Sequence, residues 1–101
     1  MRKPQNITED HLDLMYIIEC DSNASQRQIA QKTGLSIGKV NYCLKALLDI
    51  GYIKVDTPRI NPKINYAYFL TPKGIKEKAI VTKQFIIKKK QGYDKLNSYI
   101  D

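Results

Sequence analysis

Apolar residues recur at helical spacing in several stretches of this chain and alternate with polar ones in two short runs, and the two kinds of pattern divide it cleanly. From about Thr8 to Cys20, the residues Leu12, Leu14, Met15, Ile17 and Ile18 put apolar surface on more than one face, which predicts a helix packed among its neighbours. A spare face at Leu14 or Ile18 is available to a partner subunit, with core packing as the simpler use. Asp21-Ser22-Asn23 breaks the periodicity. Ser25 then opens a second helix: its hydroxyl can accept from a free backbone N–H, and Gln28 three residues on can reach back to close a capping box. Thr33-Gly34 ends it, because glycine enters the left-handed conformation without a Cβ penalty. Ser36 caps a third helix, whose Val40, Leu44, Leu47 and Leu48 form an inward stripe and whose stop is Gly51.

The alternating runs come next. Tyr52 to Asp56 and Asn65 to Leu70 are rich in β-branched and aromatic residues, and Thr57 to Lys63 between them holds Pro58 and Pro62. This predicts a hairpin whose tip is stiffened by two residues that lack a backbone donor, so that it projects instead of extending a sheet. Thr71 can cap a last helix and Pro72 suits its first position. Positions 75, 79, 82, 86, 89, 93, 96 and 100 read Ile, Ala, Thr, Ile, Lys, Tyr, Leu, Ile, a mostly apolar seam of alternating three- and four-residue steps. So small a domain cannot cover such a seam along its whole length, and a second copy is its natural partner. Thr82, Lys89 and Gly92 weaken the seam, and Gly92, which costs about 1 kcal/mol relative to alanine in mid-helix, is where the helix is expected to break if it breaks. The alternative to a dimer is that residues 75 to 87 cover the domain and the remainder is a loose tail.

The fold class is therefore mainly α with a small β-hairpin. Residues 1–74 form a helix-turn-helix with a wing, and residues 75–101 form a long C-terminal helix that serves as a dimerisation element. Opposite its inward stripe, the third helix presents Gly38, Lys39, Asn41, Tyr42 and Lys45, a small, basic, hydrogen-bonding face suited to a DNA major groove. Asn41 is the candidate for an adenine edge, Lys39 and Lys45 for guanine or phosphate, and Tyr42 for phosphate or a thymine methyl. Ser36 and Gly38 suit a phosphate at the helix end and a close backbone approach. On the wing, Arg59 is placed for a minor groove and Lys63 for a phosphate. The plainer readings are a solvated basic face and a hairpin edge kept soluble by charge.

Charge sharpens this picture. The chain of 101 residues carries a formal net charge of +7, and the excess is uneven: residues 58 to 92 hold nine Lys or Arg against Glu77 alone, while residues 1 to 57 hold seven of each sign. A polyanionic partner is expected near the wing and beyond, with salt-dependent binding. The run Lys88-Lys89-Lys90 reads as a solvated stretch, or else as a flanking phosphate contact. The length suits one domain with a single modest core. Cys20 and Cys43 have neither a CxxC spacing nor a histidine partner and read as semi-buried packing residues. His11, the single histidine, sits among Glu9, Asp10 and Asp13 and reads as a solvated helix residue. No phosphate-binding loop, dinucleotide-binding glycine pattern or nucleophile elbow is present, so neither catalysis nor a metal or other cofactor is expected. Met1-Arg2-Lys3-Pro4 is not a signal-peptide start, and no apolar run approaches the roughly 20 residues needed to span a membrane, which points to the cytoplasm.

The order of helix, capped helix pair, Leu47-Leu48-Asp49-Ile50-Gly51-Tyr52-Ile53, wing, and Tyr68-Phe69-Leu70-Thr71-Pro72-Lys73-Gly74 resembles the MarR family of winged-helix transcriptional regulators. The resemblance runs from about Thr8 to Gly74. It implies that Ser36 to Lys45 is the recognition helix, that Arg59 is the wing arginine, and that Ala24 adds a very short strand beside the wing. Typical members are longer, with paired terminal helices that build a dimer and often an effector pocket. The shorter chain departs from that pattern, so a small-molecule effector is not carried over. A compact subgroup associated by name with extracellular polysaccharide gene clusters has similar proportions. The resemblance thus implies a homodimer that binds double-stranded DNA at an inverted-repeat operator. The alternative is a winged-helix module that docks to protein and has no specific DNA binding, and RNA binding lacks the exposed aromatic platform it would need.

Overall fold

The computed structural model describes residues 7–56 and 67–100, and its elements follow in the order α1 (Glu9–Cys20), α2 (Gln26–Thr33), α3 (Ile37–Ile50), β1 (Ile53–Asp56), β2 (Ala67–Leu70) and α4 (Pro72–Ser98). Every helix starts where a hydroxyl caps it. Ser25 Oγ accepts from Gln28 N–H at 3.1 Å while Gln28 Oε1 accepts from Ser25 N–H at 2.8 Å, so two otherwise unpaired donors are satisfied reciprocally. Ser36 Oγ accepts from Lys39 N–H at 3.0 Å and Thr71 Oγ1 from Gly74 N–H at 3.0 Å. Gly34 and Gly51 close α2 and α3 with φ of 80° and 90°, a conformation that a residue with a Cβ rarely adopts.

The core lies where α1, α2 and α3 meet the hairpin, and Leu14, Met15, Ile18, Ile29, Val40, Cys43, Leu44 and Leu47 are fully buried there. Both Leu14 and Ile18 face inward, so neither is left for a partner; the exposed aromatic of α1 is Tyr16 instead. On α3 the inward stripe is Val40, Cys43, Leu44 and Leu47, with Leu48 half-buried at its margin. β1 and β2 pair antiparallel in the register Ile53 to Leu70, Lys54 to Phe69, Val55 to Tyr68 and Asp56 to Ala67. Among the described residues the sheet has these two strands. The short strand expected at Ala24 is replaced by one bond, Tyr68 N–H to the Ser22 carbonyl at 3.0 Å, while Ala24 itself is buried.

Three further expectations are corrected. His11 is not solvated: it is 7 % exposed, because at the third position of α1 its ring folds back on the cap, where Nδ1 accepts from Thr8 N–H at 3.2 Å and lies 2.7 Å from Thr8 Oγ1. It does the work that Glu or Gln does in most capping boxes. Cys20 is exposed, since the last turn of α1 runs past the core, whereas Cys43 is buried. Finally, α4 does not break at Gly92: it is continuous for 27 residues. At about 1.5 Å per residue such a helix is about 40 Å long, and it makes the molecule 62 Å in its longest dimension against 33 and 23 Å in the others.

Burial of α4 against its own domain is confined to its first half. Gly74 and Val81 are buried and Phe85 half-buried against the rest of the chain, and from Ile86 onward every described residue is exposed. Lys78 and Lys89 reach across to Glu19 and Glu9 of α1 at 3.1 and 3.2 Å, which sets the two helices side by side and antiparallel. Lys89 thus makes a surface ion pair while remaining solvated, as the rest of the Lys88-Lys89-Lys90 run is exposed. None of the helices is long and apolar enough to cross a membrane, among the described residues.

Candidate nucleic-acid interface

Burial of Val40, Cys43, Leu44 and Leu47 fixes the rotation of α3 about its axis and turns the opposite side outward. Ser36, Gly38, Lys39, Tyr42 and Lys45 are exposed, and Asn41 is half-buried at the edge that faces α2. Tyr42 is 65 % exposed, with Lys39 Nζ 5.5 Å from its ring centroid, a separation at which a cation is attracted to an aromatic face. Ser36 keeps its hydroxyl on the cap, so at this end of the helix the backbone N–H groups of the first turn, not the serine side chain, are the donors presented outward.

Two of these residues have partners that sequence reading missed. Asn41 Nδ2 donates to Gln26 Oε1 of α2 at 3.4 Å, so the carboxamide expected to read a base is tied to the neighbouring helix. Gln26 sits 15 positions away and at the first residue of α2; the capping pattern drew attention to Ser25 and Gln28 on either side of it. Lys39 lies close enough to the α1 cap to disfavour a second cation there. Burial first, and then the Lys39 charge, hold the His11 pKa below its ordinary value of 6.5, with Asp10 acting weakly the other way. Cys43 lies beneath the same face, and burial pushes its thiol up from the usual range.

The far end of α3 is anchored by the segment after the hairpin. Thr71 Oγ1 donates to the Gly51 carbonyl at 2.6 Å, Thr71 N–H donates to the Tyr52 carbonyl at 3.0 Å, and Lys73 Nζ donates to the last α3 carbonyl, Ile50 O, at 3.0 Å while standing 5.4 Å from the Tyr52 ring. Thr71, Lys73 and Gly74 therefore clamp the C-terminal end of α3, away from the turns that carry the exposed face, to the start of α4. The wing residues Arg59 and Lys63 lie outside the described residues; β1 and β2 are the base from which their loop leaves.

Residues 11–54, from α1 through the first turn-and-strand junction, match the family model described as "Winged helix-turn-helix DNA-binding". The described residues have the winged helix-turn-helix fold, followed by a long C-terminal helix. Among the solved structures that share this fold are MarR regulators. The chain is similar to Lactococcus lactis ZitR at 18 % identity and TM-score 0.68 over 95 % of this chain and 64 % of that one. Streptococcus pneumoniae FabT, solved in complex with DNA, aligns at 17 % identity and TM-score 0.65 over 88 % of this chain and 62 % of FabT. A MarR/EmrR family regulator from Acinetobacter sp. ADP1 shares 26 % identity at TM-score 0.63, over 81 % and 56 % of the two chains. The present chain thus spans somewhat under two thirds of the length of these regulators. A search of curated proteins by sequence returned no match.

Proposed function

We propose that this protein is a sequence-specific duplex-DNA-binding regulator of transcription of the MarR type, acting in the cytoplasm as a homodimer on an inverted-repeat operator. The observation that carries the reading is the outward face of α3: Gly38, Lys39, Tyr42 and Lys45 stand free of the rest of the described chain on a helix whose other side is wholly committed to the core. That is the geometry a recognition helix requires. The DNA seen with FabT, which has the same fold, supports it.

In this reading Asn41 reads a base edge, Lys39 and Lys45 contact guanine or phosphate, Tyr42 packs on phosphate or a thymine methyl, and Ser36 and Gly38 form the close-approach end. Arg59 enters the minor groove and Lys63 grips phosphate. Residues 1–74 are the reading domain. Residues 75–101 join two copies through the exposed side of α4, where Ile75, Ile86, Tyr93 and Leu96, with Ile100 just past the helix end, lie uncovered by their own chain. A two-fold dimer would set its α3 helices about 34 Å apart, one turn of DNA.

Selection of bound sites from a random duplex pool, followed by a salt titration of binding to the selected site, tests this directly. The expected result is an inverted repeat with half-sites about one turn apart and affinity that falls steeply with salt. A pool that stays random, with binding insensitive to salt, would assign the fold to protein docking instead.

A further inference from the structure

Gln26 and Asn41 are the one side-chain pair that ties α2 to α3 by hydrogen bonding among the described residues, and both are half-buried, so their contact is partly sheltered from water. An asparagine carboxamide has two N–H donors and one carbonyl acceptor. Pairing with an adenine edge uses one donor and the acceptor together. With one Nδ2 hydrogen given to Gln26 Oε1, one donor and Oδ1 remain, the complement of that edge. The bond fixes where the Asn41 carboxamide stands, at the edge of α3 beside α2, and couples its orientation to that of the Gln26 amide: if both turned by half, Gln26 Nε2 would donate to Asn41 Oδ1.

From this juxtaposition we propose that Gln26 is a positioning residue for sequence readout: it holds the Asn41 side chain in place at the edge of α3, so that the protein discriminates at the base pair Asn41 meets without Gln26 touching that base. The proposal rests on the DNA-reading function above and adds a residue from α2 to it. The Gln26 stem stands at the first position of α2, beside the Ser25 cap, so the amide is carried by a helix end that the capping box already holds rigid. Holding a side chain in its bound rotamer lowers the ordering cost at the moment of binding.

The test compares Gln26→Met, which keeps the length of the stem but removes the acceptor, with Gln26→Glu, which keeps an acceptor at the same place. Binding is measured to the selected operator, to operators substituted at each base pair in turn, and to random duplex. For Gln26→Met, discrimination at one base pair per half-site is expected to fall roughly fivefold, the equivalent of one hydrogen bond, while binding to random duplex stays as in the wild type. Gln26→Glu is expected to weaken all duplexes alike through its charge and to retain the wild-type ratio. Asn41→Ala should lose discrimination at the same base pair, and adding Gln26→Met to it should cost nothing more. Unchanged discrimination in Gln26→Met, a loss in Gln26→Glu equal to that in Gln26→Met, or additive losses in the double variant would each overturn the positioning role while leaving DNA reading intact. A wild-type protein that shows no sequence preference at all would remove both.

Discussion

The α-carbon of Gly74 lies against the backbone of Tyr52: a Cβ built at position 74 would collide with the Tyr52 carbonyl oxygen and stand 2.8 Å from its carbonyl carbon. Gly74 is in the first turn of α4 and Tyr52 just follows α3, so this contact sets how closely the long helix approaches the end of the helix that faces outward. The obstructing atoms are backbone, which cannot swing aside. Gly92, in the same helix, has open space where its Cβ would be.

Opposite outcomes are therefore expected for the same substitution at two positions of α4. Gly74→Ala should destabilise the fold by about 1–3 kcal/mol, as overpacking does elsewhere. Gly92→Ala should stabilise it by up to about 1 kcal/mol, the difference in helix propensity. Urea unfolding monitored by circular dichroism gives both values, and equal effects at the two sites would contradict the close approach.

Gly38 offers a third case, in which stability and binding should part. It is exposed in the first turn of α3 with a helical φ, and an added Cβ would meet only Ser36 Oγ, at 4.0 Å. Nothing within the described chain calls for glycine there. Gly38→Ala should raise stability by roughly 0.5–1 kcal/mol and yet weaken binding to duplex DNA, measured by fluorescence anisotropy. Unaltered affinity would mean that no backbone approaches this turn.

Stability should fall with mild acid through His11. Its folded-state pKa lies below the unfolded value of 6.5 because burial and the Lys39 charge disfavour the imidazolium, and protonating Nδ1 would also remove the acceptor that Thr8 N–H uses. In the window beneath 6.5 the unfolded chain binds more protons than the native one, so the stabilisation present above pH 6.5 is lost as pH drops toward the folded pKa. His11→Gln preserves a capping side chain without a titrating ring. Denaturation curves between about pH 7 and pH 5 should be flatter for that variant, and parallel curves would assign the acid response to other groups.

The two thiols should react unequally. Cys20 is exposed, whereas Cys43 is buried and its pKa is raised by that burial. Under native conditions a thiol reagent should label one cysteine per chain promptly, and Cys20→Ser should abolish the fast phase. Rapid modification of both would place Cys43 nearer the surface than the packing of α3 allows.

The uncovered side of α4 bears on assembly. Leu96 is 63 % exposed and Tyr93 66 %, far out on a helix with no cover from its own chain. Leu96→Asp is expected to convert a dimer to a monomer in sedimentation velocity while leaving helical content unchanged. A wild-type monomer across the micromolar range, or a dimer indifferent to the substitution, would reject this helix as the joining element.

What could be read from residue order is what depends on residues three or four apart. Thr8, Ser25, Ser36 and Thr71 cap helices through bonds to backbone a single turn away, and Gly34 and Gly51 close two of them by local backbone conformation. These need no tertiary partner. The apolar stripe of α3 was legible for the same reason, since a repeat in the sequence becomes a face in space, whereas the two strands formed where expected but do not bury alternate residues.

The fold alone decided matters that turn on which distant residues meet. It buried His11 and bared Cys20 at opposite ends of one helix, brought Glu9 and Glu19 against Lys89 and Lys78, pressed Gly74 onto Tyr52, and set Gln26 beside Asn41. Each of the four pairings joins positions that no helical or strand period relates. A one-dimensional pattern specifies which face of an element is apolar, but the neighbour that face meets, and the polar groups at its margin, follow from the packing of whole elements in three dimensions.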